Sequence, residues 1–192
     1  VIAPYAAGPQ EFKIPYSRFY NALGSRTQSL LDVPQDEIIM ADYYTAKLLW
    51  SWFNMTTPPV DSGAPGITAD GQELARVTLG GVNTLDGLRA LLCEHVSAEL
   101  ADEWLATGRF VESNGALYAA WADRGSDTTI NSEHFAVDWS SGTAGTLVQT
   151  ITHQEWDDEN GTFVPNGVLN TYEYPFTLVN GHAVFSAFPC PY

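Results

Sequence analysis

Thr84–Asp127 reads TLDGLRALLCEHVSAELADEWLATGRFVESNGALYAAWADRGSD, and this stretch decides the fold. Thr84 is placed to cap a helix that starts at Leu85, with Leu85, Leu88, Leu91, Leu92 and Val96 on one face. Ser97 caps a second helix, with Glu99 in its first turn and Leu100, Trp104 and Leu105 on its face. Gly108 suits the position just past a helix end. Asn114-Gly115 then sits between FVES and ALYAAW, the signature of a two-residue hairpin turn whose central residues both need positive φ. The unit ends in a polar loop, Asp123-Arg124-Gly125-Ser126-Asp127, and the later strands are expected to pack on it.

Upstream, Pro34 to Met55 predicts a longer helix. Asp32 is placed as its cap, Pro34 suits the first turn, and Asp36 and Glu37 lie where the helix dipole favours them. From Tyr43 to Phe53 apolar residues surround most of its circumference, which predicts a buried helix and makes its aromatic run core packing rather than a cofactor box. Thr57-Pro58-Pro59 ends it. Val60–Asp70 reads as a surface loop and Leu74–Leu79 as a short strand. Residues 1–33, with prolines at 4, 9 and 15, read as an irregular arm ahead of a single domain over 34–192.

Downstream, strands are expected over 129–140, 145–156, 168–179 and 182–188. Phe135, Val137 and Trp139 alternate, as do Tyr172, Tyr174, Phe176 and Leu178. Asn180-Gly181 is a second tight hairpin, and Asp157–Gly161 an acidic turn. The expected class is α+β, with N-terminal helices packed on a curved antiparallel sheet. By element order alone this is the shape of an NTF2-like or cystatin-like cone.

The net charge of -15 is uneven. Arg124 is the last basic residue, and eight acidic residues follow it with no Lys or Arg. Such a surface repels phosphate, so nucleic acid and anionic membranes are disfavoured and a basic protein surface is the better partner. No stretch reaches the ~20 apolar residues that span a bilayer. The start at Val1 without Met suggests the mature form of an exported protein. Cys93 and Cys190 leave both pairing and buried thiols open.

No catalytic or cofactor signature stands out. The four histidines, His95, His134, His153 and His182, are scattered, and there is no HExxH, CxxC, phosphate loop or nucleophile elbow. Asp157–Gly161 lacks the full calcium-loop pattern, so it reads as a solvated turn. Cys93 sits among Leu91, Leu92 and Val96, a poor place for a nucleophile. His95 reads as a packed histidine rather than a ligand. No cofactor and no metal are expected, and the protein is expected to be non-enzymatic. The polar loop Asp123–Asp127 is the candidate for partner binding. Its competing reading is a tight turn with Gly125 at positive φ.

The helix pair with its Ser97 cap, the strand carrying Gly115, Leu117 and Tyr118, the loop Asp123–Ser126 and the closing YEYPFTLVNGHAVFSAFP together resemble the IseA-type DL-endopeptidase inhibitor family. The resemblance spans roughly 36–189 and implies a secreted inhibitor of NlpC/P60 cell-wall peptidases. It also implies that Asp123, Arg124, Gly125, Ser126 and Asp127 form the contacting loop. Two other functions compete. One is an NTF2-like extracytoplasmic ligand-binding module with a pocket between helix 36–54 and the sheet. The other is an enzyme that uses Asp138 or Glu173 with a histidine.

Overall fold

The computed structural model describes residues 35–122, 124, 125 and 127–191. The arm over 1–33, the Asp32 cap and Pro34 lie outside the described residues. Helix α1 runs over Gln35–Asn54, close to the expected span. Its last turn is closed by its own side chains: Ser51 Oγ donates to Leu48 O at 2.7 Å and Asn54 Nδ2 to Trp50 O at 2.9 Å. Ile39, Tyr43, Ala46 and Leu49 are fully buried, and Trp52 nearly so. The aromatic run is therefore core, as its all-round apolar pattern predicts.

After α1 come β1 (Ile67–Ala69), β2 (Gln72–Arg76), α2 (Leu85–Cys93), α3 (Ala98–Leu105), β3 (Phe110–Ser113) and β4 (Ala116–Ala120). Then follow β5 (Ile130–Trp139), β6 (Ala144–Asp157), β7 (Thr162–Val179) and β8 (His182–Phe185). The architecture is α+β, with helices against curved antiparallel sheet. No helix among the described residues is long and apolar enough to cross a membrane.

The strands divide into two four-stranded sheets, ordered β1-β2-β4-β3 and β5-β6-β7-β8. This corrects one expectation. Ile67–Ala69 is a strand, not part of a loop: Asp70-Gly71 turns the chain with φ of 49° and 79°, a third tight hairpin alongside Asn114-Gly115 and Asn180-Gly181. A three-residue strand is too short to show alternation, so only its turn is readable. The later strands pack on the 84–127 unit as expected, without pairing to its hairpin. They pair among themselves and meet the helical unit where Val96 bridges Phe185 in parallel, with Phe185 N donating to His95 O and Ser97 N to Phe185 O.

One hydrophobic cluster joins the parts: Trp52 and Phe53 of α1, Leu88 and Leu92 of α2, Trp104 of α3, Leu117 and Ala119 of β4, and Leu147, Tyr174 and Phe185 of the second sheet. Helices α2 and α3 are tied outside the core by a bidentate pair between Arg89 and Asp102. Both caps form as expected: Thr84 Oγ1 accepts from Gly87 N at 3.0 Å, and Ser97 Oγ accepts from Leu100 N. Glu112 of β3 accepts from Leu85 N at 2.9 Å, so the start of α2 is held from two sides. Thr84→Ala is expected to cost about 1 kcal/mol, read as a lower urea midpoint at unchanged slope. Both cysteines are free, Cys190 buried and Cys93 half-buried against the core.

Candidate functional site

The chain leaves β4 at Ala120 and passes the end of α1, where a set of hydrogen bonds holds it. Thr57 Oγ1 accepts from Ala122 N at 2.9 Å and donates to Ala122 O at 3.0 Å. Arg109 Nη1 donates to Trp121 O and its Nε to Trp52 O, both at 3.3 Å. Arg124 N donates to Met55 O at 3.0 Å. The prolines that stop α1 thus leave Met55 and Thr57 facing the segment that leads into the polar loop.

The far end of the loop is held as firmly. Asp127 Oδ1 accepts from Thr129 N at 2.8 Å and from Thr129 Oγ1 at 2.7 Å. The Thr129 hydroxyl, and then its amide, hold the Asp127 carboxyl below the usual carboxylate range. Thr129 Oγ1 also lies 3.0 Å from His153 Nδ1, and His153 Nε2 lies 3.0 Å from Asn170 Nδ2, so the anchor runs from the turn before β5 to β6 and β7. Asp127 thus braces the turn that leads into β5 through its Oδ1. Arg124 and Gly125 are exposed between the two anchors, whereas Asp123 and Ser126 lie outside the described residues. Gly125 does not have the positive φ that the tight-turn reading needs.

Next to the loop entry, Trp121 is 58% exposed. It lines a half-open groove of about 300 Å³ together with Asp61, Ser62, Gly66, Thr68 and Glu73. The sequence reading missed this site. Its one local signal is an aromatic residue directly before a polar loop; Asp61 and Glu73 reach it only through sheet pairing.

The space between α1 and the second sheet is occupied by aromatic packing. Tyr43 stacks on Phe188 at 5.4 Å and meets Tyr174 edge-on at 4.9 Å, with Phe135 at 5.2 Å. Within this packing lies a polar knot: Gln149 Oε1 accepts from Tyr174 OH at 2.5 Å and from Tyr43 OH at 3.4 Å. Burial, then Cys190 and Tyr174, raises the Tyr43 hydroxyl well above its ordinary range. Burial likewise raises Tyr174, pushes Tyr44 to about 12 with help from Glu133, and pushes the Cys190 thiol to about 11.

These shifts carry a sign. The native state keeps protons that the unfolded chain releases from its ordinary values of 9.0 for the thiol and 10.0 for the phenols. Their contribution is fully present below pH 9 and falls as pH rises, that of Cys190 and Tyr44 being lost by about 12. The urea midpoint is expected to fall progressively between those limits; a flat midpoint across that window contradicts it.

Asp138 and Glu173 are both exposed on the second sheet, outside the packed interior. No group of three or more potential metal ligands gathers among the described residues. In the turn after β6, Asp157 Oδ1 accepts from Glu159 N and Asn160 N, and Oδ2 accepts from Asn160 Nδ2. Both carboxylate oxygens accept hydrogen bonds within the turn itself. Compared with known protein families and with curated proteins, the chain gives no match.

Proposed function

We propose that this protein is a non-enzymatic binding protein that presents Trp121 and the loop through Asp127 to a partner with a basic surface. The supporting observation is the loop's double anchorage: hydrogen bonds to the end of α1 on one side and the Asp127–Thr129–His153 connection on the other. A segment whose described flanks are hydrogen-bonded before binding loses less conformational freedom on docking, the property expected of a recognition element. The charge of -15 favours encounter with a basic surface. The resemblance to the IseA-type inhibitors supplies the partner class, secreted NlpC/P60 peptidases that cleave peptidoglycan stem peptides, and an extracytoplasmic location.

Added in excess, the chain is expected to suppress stem-peptide cleavage by such a peptidase. Trp121→Ala combined with Arg124→Ala should weaken that suppression by about tenfold or more. Undiminished cleavage at micromolar excess of the wild-type chain overturns the peptidase assignment.

Gln149 favours a second reading, a ligand-binding module in which a small polar group enters the packed interior between α1 and the sheet. The side chain is fully buried, and its Nε2 has no acceptor among the described residues. A buried amide donor calls for a partner, and a ligand carbonyl or carboxylate would supply one. Mass spectrometry after denaturation tests this. A stoichiometric small molecule retained by the wild type and lost in Gln149→Leu supports the module, and its absence from the wild type removes it.

A further inference from the structure

We propose that the groove beside Trp121 receives the cationic side chain of a lysine or arginine from the protein partner. The inference rests on the binding-protein reading above and names the chemistry of one contact in it.

Sheet register builds the groove. Thr68 pairs with Glu73 across β1 and β2, and Leu74 pairs with Ala120 across β2 and β4. Continuing the second pairing by one residue places Trp121 opposite Glu73. Thr68, Glu73 and Trp121 therefore form one row across three chain segments. Asp61 faces this row from the segment before β1, and its Oδ1 accepts from Gly63 N at 2.9 Å, which fixes the carboxylate's orientation. Gly66 lets the walls approach: a Cβ there would lie 2.6 Å from Leu74 O.

The lining selects a cation. It contains two carboxylates, an exposed indole and no Lys, Arg or His. Among the described residues the Glu73 carboxylate has no hydrogen bond or ion pair. Indole is the best aromatic partner for an ammonium or guanidinium, and a carboxylate adds charge-assisted hydrogen bonds to the same group. Ala64 and the indole face offer apolar surface for a methylene stem. A metal ion would gain nothing from the indole and finds no three-ligand group among the described residues. A volume of about 300 Å³ lies at the small end of ligand sites, suited to a side chain rather than a large cofactor.

The Trp121 indole N–H resonance, followed by NMR, gives a direct test. The intact protein is titrated with a blocked arginine tripeptide, its lysine counterpart, its neutral citrulline counterpart and chitotriose. Arginine and lysine are expected to shift the resonance saturably, and citrulline to bind about tenfold more weakly or less. Glu73→Gln, an exposed substitution that leaves the fold intact, should weaken the arginine peptide several-fold. Equal binding of arginine and citrulline, a stronger response to chitotriose, or no effect of Glu73→Gln overturns the proposal. No peptidase enters this measurement, so its result is independent of the inhibition assay. Inhibition that survives Glu73→Gln unchanged would place the partner contact on the loop alone and also overturn the cation site.

Discussion

Tyr43→Ala is expected to destabilise the protein by about 3–5 kcal/mol, the range for deleting a large buried aromatic side chain. Tyr43 is fully buried and meets rings from three strands of the second sheet and the segment after it: Phe135 of β5, Tyr174 of β7, Phe185 of β8 and Phe188 beyond it. These neighbours belong to different strands, so they cannot move together to fill the space. Tyr43→Phe separates the packing from the hydroxyl. It retains the ring contacts and removes one long hydrogen bond to Gln149, so a loss of about 1 kcal/mol is expected. Urea unfolding followed by circular dichroism measures both. A loss below about 1 kcal/mol for the alanine variant would mean that α1 does not dock on the sheet as described.

Asp42→Ala is expected to cost about 2–3 kcal/mol, from the loss of charge-assisted bonds and the exposure of an unpaired buried donor. Asp42 is nine-tenths buried. Its Oδ2 accepts from the buried Ala183 N at 2.7 Å, and its Oδ1 lies 3.1 Å from His182 Nδ1. One side chain thus fastens the first half of α1 to the edge strand β8, more than a hundred residues away. Asp42→Asn keeps an acceptor for Ala183 N and should lose less than the alanine variant. Equal losses in the two would locate the effect in charge rather than in the unsatisfied amide. Tyr43 and Asp42 are adjacent and hold the same pair of elements, so the double variant should depart from additivity.

Asp42 also shows where the sequence stops being informative. In a helix an aspartate among apolar residues reads as a solvent-facing interruption; only the return of β8 to α1 turns it into a buried anchor. The caps at Thr84 and Ser97, the Asn114-Gly115 and Asn180-Gly181 hairpins and the buried character of α1 were legible because each depends on residues within a few positions of one another. The division into two sheets was not, since pairing β2 with β4 requires a chain reversal through two helices. The loop candidate was legible as composition alone. Its anchors, Thr57, Met55 and Arg109 at one end and Thr129, His153 and Asn170 at the other, come from distant segments.

Neighbouring residues set the local grammar: where helices begin and end, which turns are tight, which face of each element is apolar, and a strong negative charge with no basic residue after Arg124. Tertiary structure alone decided which polar residues meet. It brought Glu73 and Trp121 to one groove, buried Asp42 against Ala183, enclosed Gln149 between two tyrosines and turned Asp127 into an anchor. The physical reason is range. Backbone propensity and hydrophobic period act over one or two turns of chain, whereas a binding surface forms where separate elements pack, and the register of that packing is set by the whole core.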